Sequence, residues 1–470
     1  MSGVTAAAAR GTSSRTADAR LVVAVTGVFC MFAAPADPSY VLPLALAAAT
    51  VACLWLVLRA RPGGAADDAA RLDGAASARR DRLVAVIVVA SSGFCGVMAG
   101  ALVGGPLAAA GAGAAYAVLA HLATSPARSR PLVFAALALL HAALMVTAIV
   151  TLHVRIDVAE FVNGGLDALL HGTSPYAITI RDVYGPAESA LYYGPGVVED
   201  GRVLYGYPYL PSTLLLDLPG VLLGDVRFVH LAAMLAVAAY AWWAATDRLG
   251  RLLAVVLLTS PTATVVLLAH WIEPLMSLLL VLVAAALLRA PGWVALPLGM
   301  LLSSKQYLVA VLPSLWVVVR RAGWARAMTG CAVAAVVIGV FFLWDPPAFV
   351  RSAVELQLRQ PFRDDAVSLL ALLADVTGPL PSWLLGVLPL GVGLLVSVLV
   401  VRRLRPGATA YLLATGLPLL CTVLLSKQAF SNYYSFIGTA LLAAAVLWPV
   451  DDPMAEEDAP VARSSDQLRR

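Results

Sequence analysis

Apolar blocks recur along this chain from end to end. They cover 21–36, 40–59, 83–102, 105–123, 131–152, 226–245, 252–270, 273–290, 293–304, 307–320, 327–344, 382–401, 408–425 and 433–449. Most approach the ~18–20 residues that carry a helix across roughly 30 Å of hydrocarbon. The pattern predicts an all-α integral membrane protein of about fourteen transmembrane or broken helices, with a long outer loop carrying juxtamembrane helices. The blocks 293–304 and 307–320 are each too short to cross, and together they predict a broken hairpin around Ser303-Ser304-Lys305-Gln306. Segment 208–223 is apolar but carries Asp217 and several prolines, which favours a helix lying at the outer surface. The block at 21–36 follows an arginine-bearing arm without a small-residue cleavage site, so it is read as a first helix.

Charge then orients the helices. Arginines cluster at Arg10/Arg15/Arg20, at Arg61/Arg71/Arg79/Arg80/Arg82, at Arg128/Arg130, at Arg248/Arg251, at Arg320/Arg321/Arg326 and at Arg402/Arg403/Arg405. Placing them in the cytoplasm puts both termini inside and two loops, 154–225 and 345–381, outside. The chain divides into an N-terminal arm with four helices (1–130), a membrane core with the two outer loops (131–449) and a polar tail (450–470) read as disordered, as is the 60–82 loop. The expected setting is a multi-pass cell-membrane protein whose active face is extracytoplasmic.

Composition agrees with this. The chain is 61% apolar and 13% charged, with a mean hydropathy of +0.86, against roughly half and a quarter in soluble domains. Short arginine clusters between apolar blocks make nucleic acid an unexpected partner. The five cysteines lie in apolar stretches without CxxC spacing and read as small core residues. Neither a Walker A, Rossmann, HExxH nor GxSxG motif occurs, and no cofactor or metal is expected.

Candidate chemistry gathers at the outer ends of the blocks. The chain has thirty arginines and only two lysines, and both lysines stand in the same tripeptide, Ser304-Lys305-Gln306 and Ser426-Lys427-Gln428. A compact ammonium there can pair with a phosphate or simply snorkel to the interface. Asp157 follows directly after a block, with Glu160 at i+3. A carboxylate at that boundary can take the proton of an attacking hydroxyl, or pair with Arg155. The loop 154–225 holds nine acidic residues against three arginines, and is rich in Tyr, Gly and Pro. Its Tyr176 and Tyr207 are candidates for stacking on sugar faces, although an aromatic belt has the same composition. Arg227 either pairs with Asp225 or contacts phosphate. Glu273, in His270-Trp271-Ile272-Glu273, is a candidate hydrogen-bond acceptor. Arg359 and Arg363 have i,i+4 spacing and form a candidate phosphate clamp. Gln306, Gln428, Asn432 and Tyr433 supply polar and aromatic lining next to the lysines.

These features together resemble the GT-C superfamily of membrane glycosyltransferases that use polyprenyl-phosphate sugars. The resemblance is carried by Asp157 after a span, the GTSPY stretch Gly172–Tyr176, Tyr207–Pro211, the GDVR turn Gly224–Arg227 and the LLSSKQY break Leu301–Tyr307. Within the superfamily the chain is most similar to bacterial polyprenyl-phosphate-mannose-dependent α-mannosyltransferases, over roughly 131–449. The resemblance implies an inverting, metal-independent hexose transfer, mannose foremost, to a lipid or glycan acceptor, with Asp157 as base and cations on the carrier phosphate. The implied partners are a polyprenyl-phosphate sugar donor, a glycolipid or glycan acceptor and membrane lipids. The alternative is a transporter or flippase of a lipid-linked sugar, for which Asp157 is dispensable. The chain departs from the superfamily in carrying four helices ahead of the core and in lacking a clear acidic pair in the first outer loop.

Overall fold

The computed structural model describes residues 18–32, 41–59, 74–125 and 130–453. The expectations for the N-terminal arm, for 60–73 and for the tail from 454 lie outside these residues, as do Arg10, Arg15, Arg61, Arg71 and Arg128. Helices dominate. In chain order they are α1 (18–30), α2 (Val41–Arg59), α3 (Gly74–Thr124), α4 (Arg130–Thr151), α5 (Asp157–Leu170), α6 (Ser189–Tyr192), α7 (Pro211–Leu223), α8 (Arg227–Ala244), α9 (Arg248–Leu258), α10 (Pro261–Leu268), α11 (Glu273–Arg289), α12 (Ala295–Leu302), α13 (Leu315–Ala322), α14 (Trp324–Trp344), α15 (Pro346–Val350), α16 (Leu356–Arg359), α17 (Leu369–Thr377), α18 (Ser382–Arg403), α19 (Ala408–Leu424) and α20 (Ser431–Leu447). Among the described residues six stretches are long and apolar enough to cross a membrane: Val84–Thr124, Arg130–Thr151, Arg227–Ala244, Arg248–Leu268, Trp324–Trp344 and Leu384–Arg403. Several shorter apolar helices accompany them.

Two departures from expectation concern local backbone. The chain is not purely helical, because the long loop folds a small antiparallel sheet. It consists of β1 (Ile180–Arg181), β2 (Val198–Glu199) and β3 (Arg202–Val203) in the order β1-β3-β2, with Ile180 opposite Val203 and Arg181 opposite Arg202. Helix α3 also begins at Gly74, inside the stretch expected to be disordered.

Helix α3 is a hairpin rather than one rod. Gly104 and Gly105 leave helical geometry, Gly105 with φ of +74°, and Pro106 restarts the helix. The two arms touch through small residues: a Cβ built on Gly96 meets the Ala112 carbonyl oxygen at 2.6 Å, and Gly113 lies against Val97 and Gly93. In lipid, where apolar burial gives no net drive to association, such close approach is what holds two helices together.

Burial sorts the helices. Nearly all of α20 and α19 is buried, whereas α4, α14 and α18 expose apolar side chains such as Leu132, Leu139, Leu343 and Val387. An apolar centre inside an apolar outer surface fits a bundle solvated by lipid. One end of the bundle gathers arginines and is tied by its own contacts. Arg20 bonds Asp247 and the Ala445 carbonyl, Arg321 bonds the Leu287 carbonyl, and Asp451 accepts from the Thr409 N–H. The loops 154–225 and 345–381 and both lysines lie at the opposite end.

There the broken hairpin takes the expected form. After α12, Ser303 and Ser304 return their hydroxyls to the carbonyls of Gly299 and Leu301, Lys305 is extended, and Gln306–Ser314 continues as a 3₁₀-helix into α13. The freed backbone is stitched to α7: Ser212 N–H donates to the Ser303 carbonyl at 3.0 Å and its hydroxyl to the Met300 carbonyl at 2.7 Å. Backbone groups that leave a helix at membrane depth need such partners. Helix α7 starts with Pro211 at its first turn and ends on Gly224 at φ +81°. It packs against α5, α8 and α14 rather than lying free.

The hairpin gives a direct test. Gly96→Leu is expected to cost about 1–3 kcal/mol through overpacking against Ala112 and Tyr116. Gly111→Ala meets nothing within 4 Å and is expected to be neutral or to gain up to ~1 kcal/mol. Thermal unfolding of the two variants in a fixed detergent checks the contrast.

Candidate functional site

At the loop end a cavity of about 270 Å³ opens between the long loop and the helix termini. Four elements supply its chemistry. The start of α5 gives Asp157; the break after α12 gives Lys305; the segment after α16 gives Gln360, Arg363 and Asp365; the approach to α20 gives Gln428, Asn432 and Tyr433. Tyr184, Tyr192, Tyr193, Tyr209 and Trp271 make it aromatic.

Lys305 is only 5% exposed. Its ammonium donates to Glu273 Oε1 at 2.6 Å and sits over the rings of Tyr209 at 4.6 Å, Tyr433 at 5.1 Å and Tyr307 at 5.5 Å. Glu273, wholly buried, also accepts from Asn432 Nδ2 at 2.8 Å, and its Oε2 has no hydrogen-bond partner. The ion pair therefore ties the α12 break to the starts of α11 and α20. A buried cation needs a counter-charge, and aromatic faces add electrostatic support. An ammonium carries three donors, so one bond to Glu273 leaves capacity for a ligand anion.

Asp157 occupies the first turn of α5, where the helix dipole favours a carboxylate. Tyr193 donates to its Oδ2 at 2.9 Å and Tyr184 to its Oδ1 at 3.1 Å. The residue is half-buried and lines the cavity. Burial pushes the carboxyl above its ordinary range, and the two phenols offset only part of that rise. Burial and the adjacent Asp157 charge push both phenols up, so they stay protonated donors at neutral pH. Arg155 is not the partner of Asp157; its guanidinium bonds the Val183 carbonyl and pins the loop beside the site.

The other candidates divide. Gln428, Asn432 and Tyr433 line the cavity, and Glu273 lies behind it holding Lys305. Lys427 does not line it. Its ammonium is spent on the carbonyls of Gln360 at 2.5 Å and Leu358 at 3.4 Å, and burial pushes it below its ordinary range. Gln306 likewise holds two loops together through the carbonyls of Pro208 and Ala353. Tyr176 and Tyr207 are fully buried: Tyr176 donates to the Tyr209 carbonyl, and Tyr207 bonds Thr213. They form the floor behind Tyr209 and present no face to a sugar. Arg227 is paired with Asp225 and bonds the carbonyls of Ile149 and Leu152, which fixes the α4–α8 junction. Glu160 is exposed and outside the cavity, because one turn of α5 carries it away from the face that Val158 and Phe161 bury.

The clamp expected of Arg359 and Arg363 does not form. Helix α16 ends at Arg359, and Gln360, which precedes Pro361, is extended with ψ of 134°. Proline disfavours a helical residue before it, so the two arginines do not share a helix face. Arg359 is exposed and lies against Gly194 and Gly196, outside the cavity, whereas Arg363 reaches it. Arg363 stacks on Tyr192 at 4.4 Å and Phe430 at 4.9 Å and pairs with Asp365. Tyr184 and Trp271 thus belong to the site although their spacing did not mark them for it, and Arg363, which its spacing did mark, reaches the site without Arg359. Among the described residues no group of three His, Cys, Asp or Glu is placed to hold a metal ion. His270 turns back at φ +58° toward Asp225, away from Glu273, and burial pushes its imidazole down to about 4.

No protein-family model, curated protein or solved structure matches this chain, so the chemistry of the cavity itself carries the functional reading.

Two outcomes test this geometry. Glu273→Ala strands the Lys305 charge and is expected to cost ~3–5 kcal/mol, read by thermal unfolding. Tyr193→Phe removes a bond that favours the ionised carboxylate. The Asp157 carboxyl band in infrared difference spectra is then expected to persist to higher pH than in wild type.

Proposed function

We propose that this protein is a membrane glycosyltransferase that takes a hexose from a polyprenyl-phosphate sugar at the extracytoplasmic face and joins it to a lipid or glycan acceptor. One observation carries the reading: a half-buried carboxylate, Asp157, and a buried lysine, Lys305, line one aromatic-walled cavity at the end of the bundle opposite the arginine clusters. Arginine-rich ends face the cytoplasm as a rule, which puts this cavity outside. The apolar blocks shorter than a full crossing then complete a multi-pass core of about fourteen segments in the cell membrane.

The reaction is a single displacement. The acceptor oxygen attacks the anomeric carbon and forms the new glycosidic bond. Its proton passes to Asp157, whose raised basicity suits that role. The bond from the anomeric carbon to the phosphate oxygen breaks, and its electron pair leaves with the polyprenyl phosphate. Lys305 stabilises the charge that develops there, with Arg363 at the rim. Tyr209, Trp271 and Tyr433 offer flat faces to the sugar ring. Lys427, held by carbonyls, is a structural tie and takes no part. Sequence patterning, the resemblance to polyprenyl-phosphate-dependent transferases and the composition of the cavity support the same reading.

The test is transfer of label from polyprenyl-phosphate-mannose to a panel of glycolipid acceptors by the protein in nanodiscs. Asp157→Asn is expected to lower transfer by about 10²–10⁴-fold with carrier binding retained. Lys305→Ala is expected to weaken both. Full-rate transfer by Asp157→Asn contradicts the base assignment. Carrier binding without transfer to any acceptor favours a flippase instead.

A further inference from the structure

A second, open groove of about 490 Å³ adjoins the cavity, and Tyr193 forms a wall of both. The chemistry of the two spaces differs. The cavity has Lys305 and Arg363 on its walls, whereas the residues lining the groove include no lysine or arginine. Arg359 comes near it at the rim, where its Nη1 lies 3.7 Å from a Cβ built on Gly196. The ionisable groups on the groove are Asp182 and the shared Tyr193 phenol. Asp182 is 7% exposed, and among the described residues its carboxylate accepts a single bond, at Oδ1, from the Tyr184 N–H at 3.0 Å. A carboxylate offers about four acceptor positions, so most of its capacity faces the groove. Ser189 stands on the same wall, and Gly194, Gly196 and Gly201 leave the floor free of side chains.

Inside that rim the Asp182 carboxylate favours groups that donate hydrogen bonds, above all the adjacent hydroxyls of a sugar. Resting on the transferase reading above, we propose that this groove holds the sugar end of the acceptor. In this arrangement Asp182 accepts hydrogen bonds from its hydroxyls, and the Tyr193 phenol keeps the place at Asp157 that the reacting hydroxyl takes over. The donor with its phosphate then keeps to the cationic cavity, and the acceptor reaches Asp157 from the other side of Tyr193.

Two variants test the groove without removing the fold. Asp182→Asn keeps an oxygen for the Tyr184 N–H but loses the charge. Ala190→Trp fills the groove from an exposed position on α6. The probe is methyl mannobioside, titrated against the full chain in nanodiscs by saturation-transfer NMR. Both variants are expected to weaken its binding about tenfold or more. Equal binding by wild type and both variants overturns the groove assignment, as does no binding by wild type. Disaccharide binding that depends on Asp182, in a protein that transfers no hexose, removes the transferase reading and leaves the sugar site standing. Hexose transfer whose acceptor KM is unchanged in both variants does the reverse.

Discussion

A buried lysine is costly unless an opposite charge travels with it, and in this molecule Glu273 supplies that charge to Lys305. The pair does more than neutralise. Lys305 stands where α12 breaks, Glu273 opens α11, and Asn432, which also bonds Glu273, opens α20. Three segments distant in sequence are therefore brought to one point by one ion pair. The break is stabilised from behind by Ser212 of α7, and the rings of Tyr209, Tyr433 and Tyr307 close around the ammonium. The Lys305 side of the cavity takes its shape from this knot.

The Asp157 side is built differently. Its carboxylate is held by phenols rather than by a cation, which leaves it basic and makes it a group able to receive a proton. The small sheet and the Arg155 bond to Val183 set Tyr184 and Tyr193 in place, so a loop without long helices still presents a defined site. The site thus keeps an accepting carboxylate and a donating ammonium in one space without letting them cancel as a pair, because Glu273 has already taken the lysine's first bond.

Much of this was legible in the sequence. Apolar blocks mark many of the helices, and the break at Ser303–Lys305 and the turn at Gly104–Pro106 lie at boundaries between blocks. The scarcity of lysine picked out Lys305, and position after a span picked out Asp157. What was not legible depended on direction rather than position. The run Tyr205–Tyr209 reads as one aromatic patch, yet Tyr207 faces the core and Tyr209 the cavity. Two identical Ser-Lys-Gln tripeptides fold to opposite uses, because only Lys305 meets a carboxylate while Lys427 meets carbonyls. The misplaced arginine pair had its signal in plain view, in Pro361, and i,i+4 spacing was read across a residue that ends a helix. Tyr184 and Trp271 carried no local signal; only tertiary folding brings them to Asp157 and Lys305.

The central claim is that a phosphate-borne sugar lodges between Lys305 and Asp157, and photo-crosslinking tests it most directly. A polyprenyl-phosphate hexose bearing a diazirine on the sugar, activated on the full chain in nanodiscs and mapped by mass spectrometry, is expected to label the peptides containing Asp157, Tyr209 or Tyr433, and to lose that labelling in Lys305→Ala. Labelling confined to the arginine-rich end of the bundle, or unaffected by the loss of Lys305, contradicts the account.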